Sequence, residues 1–319
     1  MDIEARMDDT HRALLGMLPP DLMDFTDLDT AVDQLMTMLQ AAPVELPESV
    51  ELVDHHVQAA DGHQIMVRLY RPRDARPNGP GLFWIHGGGL ILGDVSMDDA
   101  HCAGIAAELN IVVASVDYRL APEFAYPTPL DDCVVAFEWL VEQSGQLGLD
   151  RERLAVGGGS AGGGLAAALT LRLRDGNAPQ PCFQLLRYPM LDDRNETPSS
   201  HAITDLRVWN RSANLIGWSA YLGDRRGMPD VDAYAAPARA ADLSALPPAI
   251  VTVGDLDMFL DEDIAYAQAL LGAGVPTELH VYPGSFHGSD TMLPDADASR
   301  RWRRDEIAAL GRAFDITPE

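Results

Sequence analysis

A single serine, Ser160, lies among six glycines in the stretch AVGGGSAGGGL, which follows a short apolar run and precedes a helical pattern. Glycine suits this place because a tight strand-to-helix turn requires unusual backbone angles and leaves no space for side chains. Such a turn can hold a phosphate at the start of a helix, or it can raise a nucleophilic hydroxyl above a sheet. The stretch alone leaves both chemistries open.

The phosphate alternative finds little support in the rest of the chain. Residues 157–162 satisfy the G-x-G-x-x-G pattern of dinucleotide-binding folds. That fold expects an acidic residue at the end of the next strand, but the next apolar run ends in Arg187. A Walker-type loop is excluded because the chain contains no lysine. A nicotinamide-dependent dehydrogenase is therefore a remote alternative that rests on the glycines alone.

The nucleophile alternative predicts further residues, and the sequence contains them. The pattern G-x-S-x-G around Ser160 is that of a nucleophile elbow. Acyl transfer needs backbone N–H donors for the oxyanion, and the loop at residues 86–89, with the sequence HGGG, can supply them. A carboxylate and then a histidine should follow the serine. Two acids, Asp255 and Asp257, follow one apolar run, and His287 follows the next.

Short apolar runs that alternate with helical patterns predict the elements that carry these residues. Continuous apolar strands between helices indicate a largely parallel sheet that is covered on both faces. Two earlier strands alternate apolar and polar residues, and the turn at residues 60–63 predicts that they are antiparallel. We therefore expect an α/β fold whose functional residues meet at the carboxyl edge of the sheet. The predicted strands are 50–57, 64–70, 82–85, 111–116, 154–156, 183–186, 249–253 and 279–282.

Four segments carry a resemblance to a known family. In chain order they are His86-Gly87-Gly88-Gly89, Asp117-Tyr118-Arg119-Leu120-Ala121-Pro122-Glu123, Gly158-Gly159-Ser160-Ala161-Gly162-Gly163, and Asp257-Met258-Phe259-Leu260-Asp261-Glu262 with the later Phe286-His287-Gly288. Over nearly its whole length the chain resembles the hormone-sensitive-lipase-like (bacterial family IV) carboxylesterases of the α/β-hydrolase fold. This resemblance implies a mostly parallel central sheet flanked by helices, with a helical cap.

The resemblance also implies a role for each matching residue. Ser160 is then the nucleophile, His287 the general base and acid, and Asp257 the carboxylate that orients the histidine. Asp257 is preferred over Asp255 because the register of the acids that follow it matches the family. Backbone N–H groups of the oxyanion hole come from Gly88, Gly89 and Ala161, and the supporting motif residues are His86, Gly87, Gly158 and Gly162.

Three residues of the expected substrate pocket depart from the family pattern. Leu90 and Ser289 stand where relatives often carry aromatic residues, so the pocket could admit a wider substrate. Arg187 ends an apolar strand at a position that is usually aliphatic. Because a buried charge must be paired, we expect Arg187 to pair with an aspartate. The alternative is that Arg187 binds an anionic group of the substrate.

The loss and return of the strand–helix alternation predicts how the domain is divided. Residues 1–48 are expected to form the N-terminal part of a helical cap, and residues 188–240 a cap insertion. Residues 49–187 and 241–319 are expected to form the two parts of the α/β-hydrolase core. Several methionines in the N-terminal part (Met17, Met23, Met36 and Met38) either line an acyl pocket or simply pack within the cap.

Composition narrows the choice of partners and location. The 319 residues carry a formal net charge of -26, which makes nucleic acid an unfavourable partner. Three widely separated cysteines indicate neither a disulfide framework nor a zinc site, so we expect no metal. No apolar run reaches membrane-spanning length. The N-terminus lacks the apolar stretch of a signal peptide, so we expect a cytoplasmic protein.

These observations together predict a serine carboxylesterase. We expect it to hydrolyse small-molecule esters of short- to medium-chain acyl groups through an acyl-enzyme, with no cofactor. Hydrolysis of lactones or amides by the same triad is the alternative within enzymes. A non-catalytic, hydrolase-like binding protein is the alternative from another class, and the presence of His287 argues against it. By resemblance, a homodimer is possible.

Overall fold

The strands form one sheet in the order β1-β2-β4-β3-β5-β6-β7-β8. The computed structural model describes residues 3–41 and 46–316. Within them β1 pairs antiparallel with β2 and β2 antiparallel with β4, while all other neighbours are parallel. The predicted mostly parallel α/β sheet is confirmed. The strands are β1 Val50–Gln58, β2 Gln64–Pro72, β3 Gly79–Ile85, β4 Val112–Asp117, β5 Leu149–Gly159, β6 Gln184–Arg187, β7 Ala249–Gly254 and β8 Thr277–Tyr282.

Helices cover both faces of the sheet, as the continuous apolar strands predict. Every residue of β3, β6 and β7 is buried. The helices are α1 Asp9–Met17, α2 Leu28–Gln40, α3 Asp99–Leu109, α4 Thr128–Leu147, α5 Ala161–Asp175, α6 Pro198–Ala202, α7 Arg211–Leu222, α8 Leu260–Gly272, α9 Ser289–Met292 and α10 Asp297–Ala313. Apolar side chains of α4, α5 and α8 pack on one face, and those of α3 and α10 on the other.

The carboxyl ends of four parallel strands bring the predicted site residues to one edge of the sheet. Strand β3 ends directly before His86, and β5 ends directly before Ser160. Strand β7 ends shortly before Asp257, and β8 ends shortly before His287. Loops from separate strands therefore meet at this edge, which is where ligands bind in open α/β folds.

The N-terminal helices contact the insertion between β6 and β7. The Met23 backbone N–H donates to the Leu206 carbonyl oxygen over 2.8 Å, and the rings of Phe25 and Trp209 lie 5.7 Å apart. Arg207 also forms a 2.7 Å ion pair with Glu4. These contacts agree with a cap assembled from two chain segments, whose boundaries stay a prediction.

The three thiols are free, as the cysteine spacing predicts. Cys102 and Cys133 are buried, and Cys182 is half-buried. Burial raises the pKa of all three thiols, that of Cys182 to about 11. Among the helices in residues 3–41 and 46–316, none is both long and apolar enough to cross a membrane.

Candidate active site

Ser160 occupies a sharp turn between β5 and α5. Its φ of 58° and ψ of -121° are unusual for a residue with a side chain, and such strain persists only where the surroundings enforce it. The Ser160 N–H donates to the Arg187 carbonyl oxygen over 2.9 Å. The Ser160 carbonyl oxygen accepts from the N–H groups of Gly164 and Met190. The backbone therefore fixes where the hydroxyl points.

Two glycines allow the elements around Ser160 to approach each other closely. A Cβ atom on Gly162 would collide with the carbonyl oxygens of Ile85 and His86, and one on Gly158 would collide with the backbone of Gly162. The start of α5 thus packs directly against the loop after β3. Only glycine permits such close backbone contact at both positions.

The three predicted triad residues form a continuous chain of hydrogen bonds. His287 Nε2 lies 3.0 Å from Ser160 Oγ, and His287 Nδ1 lies 2.7 Å from Asp257 Oδ2. The other Asp257 oxygen accepts from the Phe259 N–H over 3.0 Å. Asp257 is only 1% exposed. A serine, a histidine and a buried carboxylate in this order can activate the hydroxyl as a nucleophile.

Asp255, the rival carboxylate, joins two loops instead. Its Oδ1 accepts from the Gly284 N–H over 2.6 Å, and its Oδ2 pairs with Arg6 at 2.5 Å. The Leu256 N–H also donates to the Ser285 carbonyl oxygen over 3.1 Å. Asp255 therefore ties the loop after β7 to the loop after β8 without touching His287.

Three aromatic rings surround the His287 imidazole. Tyr188 lies 4.5 Å from it, Phe259 lies 5.2 Å away and Trp209 lies 6.4 Å away, measured between ring centroids. Tyr188 directly follows β6 and Phe259 directly precedes α8, whereas Trp209 lies farther along the segment between β6 and β7. The rings restrict the imidazole to an orientation in which its two nitrogens reach Ser160 and Asp257.

The loop after β3 holds backbone N–H groups close to Ser160. Gly88 and Gly89 have φ values of 107° and 60°, which favour glycine. The N–H groups of these two glycines donate to no other residue in the described part of the chain. Ala161 is the first residue of α5, where the helix dipole favours negative charge. All three predicted donors thus remain available to a ligand.

His86 stabilises this loop and has no contact with the triad. Its Nδ1 lies 2.8 Å from the Gly87 carbonyl oxygen, and its ring stacks on Tyr118 at 4.3 Å. The Tyr118 hydroxyl donates to the His86 carbonyl oxygen over 3.0 Å. Burial lowers the pKa of His86 to about 4. His86 is therefore neutral at ordinary pH and fixes the path of the loop.

A cavity of about 200 Å³ opens in front of Ser160 and has two unlike sides. One side consists of core residues and carries the polar groups. We call it the core wall, defined by Trp84, Asp98, Ser160, Arg187, Tyr188 and His287. The other side is contributed by the N-terminal segment and the insertion. We call it the cap wall, defined by Leu22, Met23, Leu35, Met38, Leu39, Val208 and Trp209.

Of the three predicted pocket residues, Arg187 lines the cavity, whereas Leu90 and Ser289 do not. Leu90 is buried with a φ of 69°, and its carbonyl oxygen accepts from the Ala121 N–H. Ser289 is fully buried at the start of α9. The turns at both positions bury these two side chains in the protein, and their role in substrate binding stays a prediction.

Arg187 is buried and shared by two acids. Its Nε donates to Glu306 Oε1 over 3.0 Å, and its Nη2 donates to the other Glu306 oxygen. Its Nη1 lies 3.2 Å from Asp290 Oδ2. Burial alone would lower the pKa of Arg187, but Glu306 and Asp290 together raise it. The predicted aspartate is present, but a glutamate is the bidentate partner. Little of the guanidinium remains for a substrate anion.

Two residues of the site escaped the sequence analysis. Glu306 lies four residues after Trp302 on the buried face of α10, and an acid within an apolar helical stripe is a detectable signal of a buried partner. Asp98 lies on the core wall, where its Oδ2 accepts from Trp84 Nε1 over 2.7 Å. No spacing rule links Asp98 to Trp84, so only the fold reveals that contact.

Comparison with known proteins gives consistent results. Residues 82–291 match a family model described as the alpha/beta hydrolase fold. Esterase LipI of Mycobacterium tuberculosis is 36% identical over 260 residues, covering 81% of this chain and 80% of that protein. Ethyl acetate hydrolase of Pseudomonas putida is 34% identical over 254 residues, covering 78% of each. The solved structure of a bacterial heroin esterase superposes with a TM-score of 0.93 at 39% identity, covering 97% of this chain and 98% of the other.

Proposed function

We propose that this chain, which belongs to the hormone-sensitive-lipase-like carboxylesterases of the α/β-hydrolase fold, hydrolyses short- to medium-chain acyl esters. The reaction proceeds through an acyl-enzyme formed on Ser160. Relatives that match most of the chain are esterases and carboxylesterases, so this chain is a carboxylic ester hydrolase. The observation that carries the finer proposal is the hydrogen-bond chain from Ser160 through His287 to Asp257.

The reaction begins when Ser160 Oγ attacks the ester carbonyl carbon. His287 Nε2 accepts the hydroxyl proton and then delivers it to the departing alcohol oxygen. Asp257 holds the imidazole in the tautomer that exposes Nε2 and stabilises the imidazolium while it exists. A water molecule, deprotonated by His287, then attacks the acyl carbon. His287 returns that proton to Ser160 Oγ as the bond from Oγ to the acyl carbon breaks, which releases the carboxylic acid and restores the serine.

Each attack on the carbonyl carbon forms a tetrahedral intermediate whose oxygen carries a negative charge. This charge has to be stabilised as it develops. We assign this task to the backbone N–H groups of Gly88, Gly89 and Ala161. Their fixed backbone supports the assignment, because donors that need no reorganisation stabilise a developing charge best. Losing one such donor typically costs about 10²–10³ in turnover.

The size of the cavity supports a small substrate. Its volume of about 200 Å³ lies below the roughly 300–1,000 Å³ of pockets for drug-sized ligands. A short acyl chain can lie against the apolar cap wall, whereas a long chain has to extend past it into solvent. We therefore assign a preference for short- to medium-chain acyl groups.

A panel of p-nitrophenyl acetate, butyrate, octanoate and palmitate tests the proposal. We expect hydrolysis of the three shorter esters and little of palmitate. Ser160→Ala should lower kcat by about 10⁴-fold or more, because the nucleophile and its base act as a unit. Circular dichroism and thermal melting confirm that the variant is folded.

Each half of the proposal can fail separately. Unchanged hydrolysis by folded Ser160→Ala would overturn the assignment of the nucleophile. A preference for palmitate would overturn only the chain length. Faster hydrolysis of a matched lactone or anilide than of the ester would replace the ester by that substrate class.

A further inference from the structure

Asp98 presents a carboxylate oxygen to the same cavity as Ser160. One of its oxygens, Oδ2, accepts from Trp84 Nε1 over 2.7 Å. The other, Oδ1, has no hydrogen-bond partner in residues 3–41 and 46–316. Because Asp98 lines the cavity, this oxygen is positioned to meet a substrate.

The charges behind the core wall do not compensate Asp98. The charge of Arg187 acts on Asp98, but Glu306 and Asp290 already pair with this guanidinium. Asp290 Oδ1 is itself buried without a partner among the described residues. His101 supplies no charge, because burial and then Arg187 hold its pKa well below the usual range. One guanidinium thus serves three carboxylates, of which only Glu306 and Asp290 pair with it directly.

The other charged groups near this end of the cavity are paired with each other. Asp99 accepts from Arg68 and from the Tyr70 hydroxyl. On the outer face of α3, Arg303 pairs with Glu108 at 2.9 Å. Among the described residues that line the cavity, Arg187 is the single arginine. No further cation of the described chain thus offsets the negative charge at Asp98.

Asp98 is half-buried, so its carboxylate keeps only part of the hydration it would have in bulk water. Burial raises the pKa of Asp98, and the Trp84 hydrogen bond and the charge of Arg187 oppose the change only in part. A cation bound beside Asp98 would recover the energy that burial costs. Trp84, Tyr188 and Trp209 also line the cavity, and aromatic rings attract organic cations.

We propose that Asp98 makes this end of the cavity a subsite for a cationic group of the substrate, namely a protonated or quaternary amine carried by the ester. The inference rests on the proposed function, since it places the amine in the cavity where Ser160 attacks. Asp98 acts here on substrate selection and takes no part in the proton transfers. The carboxylate attracts the amine by charge, and the neighbouring rings contact its methyl groups.

Isosteric ester pairs test the proposal on the wild-type protein. Butyrylcholine and 3,3-dimethylbutyl butyrate differ in the alcohol by a quaternary nitrogen in place of a carbon. Ethyl 4-(dimethylamino)butanoate and ethyl 5-methylhexanoate differ in the same way in the acyl group at neutral pH. In at least one pair, we expect kcat/KM to be about 10-fold or more higher for the cationic ester than for its neutral counterpart. An effect of this size is expected when a desolvated cation lies beside a carboxylate and aromatic rings.

Asp98→Asn then identifies the residue responsible. Asparagine keeps an oxygen for Trp84 but removes the charge, so the ratio of kcat/KM within the favoured pair should fall to about 1. Glu108→Gln is the matched control, because it removes one acid from α3 on the outer face. This control should keep the wild-type ratio.

The outcomes separate this inference from the proposed function. A wild-type ratio of 1 or less in both pairs overturns the cation subsite, and so does a wild-type ratio that survives in folded Asp98→Asn. The wild-type ratios decide even if Asp98→Asn fails to fold. A wild type that hydrolyses none of the four esters contradicts the proposed function, and with it this inference.

Discussion

The two walls of the cavity are built by different means. The core wall rests on backbone contacts that leave no space for a side chain, as at Gly158 and Gly162. Two of its charged or titratable groups, Arg187 and His287, are paired with buried acids. The cap wall consists of apolar side chains, of which Met38 is 41% exposed and Leu39 is 39% exposed. The shape of the core wall is therefore set by the main chain, and that of the cap wall by apolar side chains.

This difference assigns the chemistry and the selectivity for acyl-chain length to separate parts of the chain. Catalysis requires reacting groups to be held to within a fraction of an ångström, and the core wall provides such fixed positions. Selectivity for chain length needs only apolar area of suitable shape, which the cap wall supplies. Substitutions in the triad should therefore change the rate on every ester, whereas those on the cap wall should change the ranking of acyl-chain lengths.

Asp257→Asn should produce the larger effect. Asparagine can hold the imidazole in the wrong tautomer, so that Nε2 no longer accepts the Ser160 proton. We expect kcat on p-nitrophenyl butyrate to fall by about 10⁴-fold, as in the serine protease triad from which this magnitude is taken. The loss should be similar for acetate and octanoate, because the group touches no acyl chain.

Asp255→Asn is the matched control for that variant. It also lies in the loop after β7, and its amide oxygen can still accept from Gly284. Only the charge toward Arg6 is lost, and half-exposed ion pairs contribute roughly 0–1 kcal/mol. A loss of activity in Asp255→Asn as large as in Asp257→Asn would contradict the division of roles between the two acids.

Met38→Ala should produce the smaller and more selective effect. Its side chain lines the cavity at the solvent boundary, so truncation removes apolar contact from a long acyl chain without disturbing the core. We expect kcat/KM on octanoate to fall by about threefold to tenfold, the usual value of a methylene-sized contact or two. Activity on acetate should stay within about twofold of the wild type, because acetate is too short to need that contact.

Met17→Ala is the control for the cap. Met17 ends α1, is 76% exposed and lies away from the cavity. Its truncation should leave the ratio of octanoate to acetate unchanged. Equal shifts of this ratio in both variants would mean that the cap wall does not select the acyl chain.

The sequence predicted the core wall far better than the cap wall. The family, the fold class and the esterase activity are confirmed, because glycine spacing and apolar runs constrain the backbone strongly. Ser160, Asp257 and His287 come together as the motif order predicts. Contacts between distant side chains were not predictable, since the partners of Arg187 and Trp84 depend on how α3 and α10 pack.

For a similar reason, the sequence did not predict which methionines of the cap line the cavity. Met23 and Met38 line the cavity, Met36 packs against the core and Met17 is exposed. Helical periodicity marks an apolar face but does not say which residues of that face meet a neighbouring segment. The domain boundaries, the homodimer and the cytoplasmic location stay predictions.

The central claim is that the strained turn after β5 presents Ser160 as the nucleophile of the core wall. Incubation with a fluorophosphonate ester, followed by intact-mass and peptide mass spectrometry, tests it most directly. The account predicts one phosphonyl group per chain on Ser160, with complete loss of hydrolysis. Labelling that persists in folded Ser160→Ala, or full hydrolysis by a chain labelled on Ser160, would contradict it.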